Sequence, residues 1–160
     1  MRSYETRFVA DLLVQHADAR GDASLDFWKA LTQTFSELKL RNSAQKCWLR
    51  SYAVRSGYIE AELTLMGPEE GRSKPIFSGY RADWNINHNP DARGLCLCGA
   101  PITLEGVSEL APGETTMVRL HPRHVPSWRE VAVGRVLKMH EGAKVVGTAV
   151  VTTLQLIETP

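Results

Sequence analysis

Two thiols one residue apart, Cys96 and Cys98, are the first side chains here whose types and spacing could do chemistry. On a strand they would point to the same face, and with His88 or Cys47 brought near they could hold a zinc ion. The spacing fits no Cys-x2-Cys pair, so two packed strand cysteines are the simpler reading. His121 and His124 offer a second pair of nitrogen ligands, but Pro122 and Pro126 lie among them, and they read as solvated loop histidines. For nucleophilic catalysis the nominal set is Cys96, His88 and Asp91, with no nucleophile elbow around any of them. The acids are scattered along strand-like segments, and no carboxylate pair stands out for acid/base work. An enzyme is therefore the third choice among the functions considered.

The basic residues Arg72, Lys74, Arg81, Arg119, Arg123, Arg129, Lys138 and Lys144 are interleaved with Tyr80, Trp84 and Trp128, as a nucleic-acid surface would require. Glu69, Glu70, Asp83, Glu114 and Glu130 are mixed among them, whereas single-stranded binding favours a continuous basic groove. Trp84 and Trp128 read as core or loop anchors. The chain has 160 residues, 43% of them hydrophobic and 23% charged, with a formal net charge of +1, which suits a soluble globular domain and leaves no single-sign field to bind through. Three cysteines make no disulfide framework, and there is neither a secretory leader nor a long apolar run, so a cytoplasmic protein with no membrane attachment is expected.

The elements that must position these residues can be read from periodicity. Residues 4–14 read as a strand, followed by a polar turn. Ser24 is a good N-cap for a helix carrying the stripe Trp28, Leu31, Phe35 and Leu38, and Asn42 is placed to end it near Arg41. From Tyr58 the period changes to two, with Ile59, Ala61, Leu63 and Leu65 on one face, and Gly67 to Gly71 closes that strand as a turn. Short apolar stretches and turn signals then alternate up to a Val-rich segment from Val145 to Leu156, the pattern of a barrel or sandwich. Ile59, Leu63, Leu65, Phe77, Val118, Leu120, Val136, Val146 and Val150 are the expected core. No linker separates the N-terminal part, so one domain is expected over 1–160, with 1–57 packed as a strand-helix extension on a barrel at 58–160.

Between Tyr58 and Leu156 a series of elements stands in order: Lys74-Pro75-Ile76-Phe77, Gly79-Tyr80-Arg81, Pro112-Gly113-Glu114, Leu120-His121-Pro122, Gly134, and His140-Glu141-Gly142 before Val145-Val146-Gly147. In this order they resemble the C-terminal, third domain of the elongation factor Tu family, without the GTPase that precedes it there. The resemblance implies a six-stranded closed antiparallel barrel, which with the N-terminal helix makes a mainly β (α+β) chain with one helix. It implies no catalysis and no cofactor. It also implies a macromolecular partner, since that domain docks against sibling domains, a nucleotide exchange factor and the T-stem of tRNA.

A protein partner related to translation elongation is the first expectation, and tRNA the alternative. The candidate contact residues carried over are Arg81, Asp83, Arg93, His121, His140, Glu141, Gly142 and Lys144. His140 stands where the family has an arginine, and Asp83 and Arg93 stand where it has uncharged polar residues, so the phosphate-facing surface has lost positive charge. No glycine-rich loop ending in Gly-Lys-Ser/Thr occurs, so nothing cradles a nucleotide's phosphates in the family's manner. Two outcomes are expected: GTP leaves the melting temperature unchanged, and elemental analysis of the purified protein finds no stoichiometric zinc.

Overall fold

The computed structural model describes residues 13–14, 17, 24–38, 40–86 and 97–157. The chain forms two compact units, Met1–Arg55 and Ser56–Pro160. In the first, helix α1 spans Leu25–Glu37 and begins as its sequence demands: the Ser24 side chain accepts from the Phe27 N–H at 3.2 Å, and Asp26 sits in the positive first turn. It ends earlier than the spacing predicts. The Leu40 N–H donates to the Phe35 carbonyl at 2.8 Å, a six-to-one bond that terminates the helix, and both side chains are buried, as the apolar contact of such a stop requires.

Leu40 then starts a second helix, α2, at Arg41–Ser56, so Asn42 lies inside a helix instead of capping one. The stripe on α1 is only partly buried. Trp28 and Phe35 pack with Val14, Ala17, Leu40, Ala44 and Cys47, Leu31 is half-buried against them, and Leu38 is 54% exposed at the cap. The strand expected over 4–14 is corrected where it can be seen: Leu13 and Val14 are helical, as is Ala17, and the rest of that stretch lies outside the described residues.

The second unit is the barrel, and the protein is mainly β, with two full helices among the described residues where one was expected. Its strands are β1 (Gly57–Leu65), β2 (Ile76–Phe77), β3 (Arg81–Asn85), β4 (Leu97–Leu104), β5 (Glu109–Leu110), β6 (Thr115–Leu120), β7 (Val136–Glu141) and β8 (Lys144–Leu156). Six of them close antiparallel in the order β1-β6-β4-β3-β7-β8, while β2 and β5 make a small separate pair. A short 3-10 turn at Val125–Trp128 brings Trp128 into the core.

Alternation fills the interior. Ile59, Ala61, Leu63 and Leu65 enter from β1, and Trp84, Ile102, Leu120, Leu137, Met139 and Val146 from the other strands, all at most 1% exposed. Trp84 settles its polar edge by donating from Nε1 to the Ala100 carbonyl at 3.1 Å. Three expected core residues face out instead. Val136 and Val150 are cross-strand partners on the outer face, 40% exposed each, because Leu137 and Ala149 take the inward positions. Phe77 is 54% exposed, and its neighbour Ile76 is buried in its place.

Strand β4 runs from Leu97 to Leu104 although Gly99 and Pro101 punctuate it like a loop. Pro101 is tolerated since β4 pairs with β6 only from Ile102 onward, and its carbonyl accepts the His121 N–H at 2.9 Å.

At the start of β1 the backbone of β8 comes very close. Gly57 has φ +76, and a Cβ there would stand 1.9 Å from the Gln155 carbonyl oxygen on β8. Gly142 also has a positive φ, +59, but faces open space. Both glycines relieve backbone strain, and only Gly57 also relieves a collision with backbone. Gly57→Ala should therefore cost well over about 1 kcal/mol and more than Gly142→Ala, as read from paired urea unfolding curves.

Candidate functional site

The β7–β8 turn, where the sequence placed Glu141, Gly142 and Lys144, carries a connected set of polar contacts. Glu141 and Lys144 are paired across a two-residue turn in which Gly142 supplies the positive φ that such hairpins need. Against it lies the segment after β1, itself tightened by Gly71 N–H donating to the Gly67 carbonyl at 2.7 Å.

Arg72 reaches across from that segment. Its Nη1 donates to Glu141 Oε1, its Nε to the Lys74 carbonyl at 2.7 Å, and its Nη2 to the Pro75 carbonyl at 3.4 Å. The guanidinium also lies over the Tyr80 ring, 4.7 Å from its centroid. Tyr80 donates its hydroxyl to the same Glu141 Oε1 at 2.5 Å. Lys144 closes the arrangement from the other side of the turn, its Nζ donating to the Gly71 carbonyl at 2.6 Å.

The arrangement is a latch. One carboxylate oxygen collects an arginine and a phenol, and two cations fasten a loop that has few backbone bonds of its own. Burial and the bond to Glu141 together push the Tyr80 phenol up to about 12 from 10.0, because the ionised ring would lose its water and face a carboxylate. A proton held that tightly suits a structural donor and not a general base at neutral pH.

The remaining candidates are scattered. Asp83 on β3 is in register with His140 on β7 and with Gly99 on β4, and is itself exposed. His140 is 5% exposed, and neither ring nitrogen has a hydrogen-bond partner among the described residues. It sits at the irregularity between Met139 and His140, which is why two successive β7 residues are both buried. Arg81 is exposed at the start of β3. His121 is fully buried and joined to Thr103 Oγ1 through Nε2 at 2.8 Å, which corrects the reading of a solvated loop histidine; His124 is the exposed one, bonded to Ser127 Oγ at 2.8 Å. Arg93, like His88, Asp91 and Cys96, lies outside the described residues.

Sequence reading missed Arg72 and Tyr80 as partners of Glu141. The signal was present in the Gly79-Tyr80-Arg81 element and the charged turn before it, but they are 61 and 69 residues away along the chain. Elsewhere on the outer surface Arg119 spans Glu60 and Glu105, at 3.3 Å each, and stacks over Tyr58 at 4.6 Å. Trp84 and Trp128 are core anchors, not base platforms. No group of three or more His, Cys, Asp or Glu among the described residues is placed to hold a metal. No described helix is long and apolar enough to cross a membrane. Compared with known proteins, the chain matches no family model and no curated sequence.

The raised Tyr80 value has a testable sign. Below pH 10 the phenol is protonated in folded and unfolded chains alike, and its contribution is complete. Between 10 and about 12 the unfolded chain loses this proton first, so folding stability falls as pH rises and the contribution is gone above about 12. Tyr80→Phe should flatten that fall in urea unfolding experiments across this range. It should also remove a component ionising near pH 12 from the ultraviolet tyrosinate titration.

Proposed function

We propose that this protein is a cytoplasmic, non-catalytic binding module of the elongation-factor C-terminal type, and that its partner is a protein of the translation elongation apparatus. The observation that carries the reading is the closed antiparallel barrel, with glycines of the resemblance, Gly79, Gly113, Gly134 and Gly142, all at positive φ at its turns. Each turn singly is ordinary hairpin chemistry. Their order around one closed barrel supports the reading.

A protein partner is favoured over tRNA by where the charges go. Glu141 is occupied by Arg72 and Tyr80, Lys144 by the Gly71 carbonyl, and His140 is buried. Of the candidate cations, Arg81 stands exposed on β3. A phosphate backbone needs several cations free to replace its counterions.

The test offers the purified protein an elongation nucleotide exchange factor and, separately, deacylated tRNA, each over a salt series. Expected are saturable binding to the protein with little salt dependence, and tRNA binding no tighter than the nonspecific range of about 0.1 mM to 1 μM at physiological salt. Sub-micromolar tRNA binding, abolished when Arg81 and Lys144 are both changed to Glu, would replace this reading with an RNA-binding one. Failure to bind the exchange factor would remove it from the list of partners.

A further inference from the structure

The outer face of the barrel opposite the filled interior carries one row of side chains that crosses four neighbouring strands in register. Val136 on β7 faces Val150 on β8, Val150 faces Glu62 on β1, and Glu62 faces Met117 on β6. Val136 and Val150 are each 40% exposed and Met117 38%, with Val133, 63% exposed, just ahead of β7. Single exposed apolar residues are ordinary on a soluble surface, but four gathered around one face mark a surface that is covered in use.

Two charges decide what covers it. Glu62 lies on β1 beside Val150, and Lys138 lies on β7 beside Thr148, the next outward position of β8. They flank β8 on opposite sides, about 10 Å apart across two strand spacings. Neither takes part in a hydrogen bond or an ion pair with the described residues, whereas Glu60, Glu105 and Arg119 nearby are paired. An isologous contact requires a patch that carries its own complement. This one does: Glu62, within the row beside Val150, and Lys138, beside Thr148, stand on opposite sides of β8.

We propose that the β7-β8-β1-β6 face is the contact surface of a homodimer, in which Glu62 of each copy meets Lys138 of the other about an axis through β8 between Thr148 and Val150. A single convex strip buries less than a standard interface, so the dimer is weak and concentration-dependent. The contact is independent of the partner proposed above and stands or falls without it.

Sedimentation velocity from micromolar to sub-millimolar protein tests it. The wild type should shift from monomer to dimer over that range. Val150→Asp should abolish the shift, and Glu62→Lys or Lys138→Glu alone should weaken association by about tenfold or more, since like charges then meet twice across the two-fold axis. The two single variants, mixed, should form a heterodimer, because each then offers the charge the other lacks; damage to the fold by either substitution cannot produce that rescue. A wild type that stays monomeric throughout, a dimer indifferent to Val150→Asp, or single variants that fail to associate on mixing would each overturn the assignment.

Discussion

The pairing of β1 with β8 is the constraint on which the rest of the barrel depends. All nine residues of β1 find partners on β8, from Gly57 opposite Leu156 to Leu65 opposite Gly147. Without that seam the sheet would have two long edges, and the apolar face made by Ile59, Leu63, Leu137 and Met139 would open to water. Strand β8 can serve both neighbours because its 13 residues outrun either one: its early part pairs with β7 and its later part with β1. The register shift between Glu60 and Ala61 falls within the seam, where strands that must coil around a closed sheet gain extra twist.

The second organising contact is the Arg72-Glu141-Tyr80 latch, and it changes what the turn residues are for. A Glu-Gly turn at a barrel rim looks like an exposed recognition element. Here its carboxylate and the lysine after it hold the segment from Gly71 to Pro75 against the rim. Arg72 is the more buried partner, 15% exposed against 41% for Glu141, so the contact is better shielded than an ordinary surface ion pair. Its stacking on Tyr80 restricts the long side chain further, which reduces the entropy lost in holding one geometry.

The barrel was legible wherever period two coincided with turn glycines, as at Ile59 to Leu65 and Val145 to Leu156. It was illegible where one residue does two jobs. Gly99 and Pro101 have the residue types of loops, yet they sit in β4, paired with β3 and ahead of its pairing with β6. Val136 and Val150 read as core because valine is the residue of strands generally; their side of the sheet is set by the register with each other, a long-range fact no local pattern contains. The helix α2 escaped notice because its buried residues Ala44, Cys47 and Leu49 form no continuous apolar stripe among its charged and polar neighbours. For the site, Glu141 and Lys144 were named from the turn, but the latch needed Arg72 and Tyr80, which only barrel closure brings near. His121 was misread because its buried hydrogen-bond partner, Thr103, lies on a strand that was itself not foreseen.

The seam has a mechanical side as well. Gly57 and Leu156, the entry and exit of the barrel, are direct cross-strand neighbours, and the Ile157 N–H donates to the Ser56 carbonyl just beyond them at 3.1 Å. A force that draws these two points apart loads the seam as a zipper is loaded, breaking its pairs singly from one end instead of shearing all of them together. The same rungs that hold firmly against heat, where many must fail cooperatively, give way in sequence to a pull, so the barrel is built to resist melting far better than stretching.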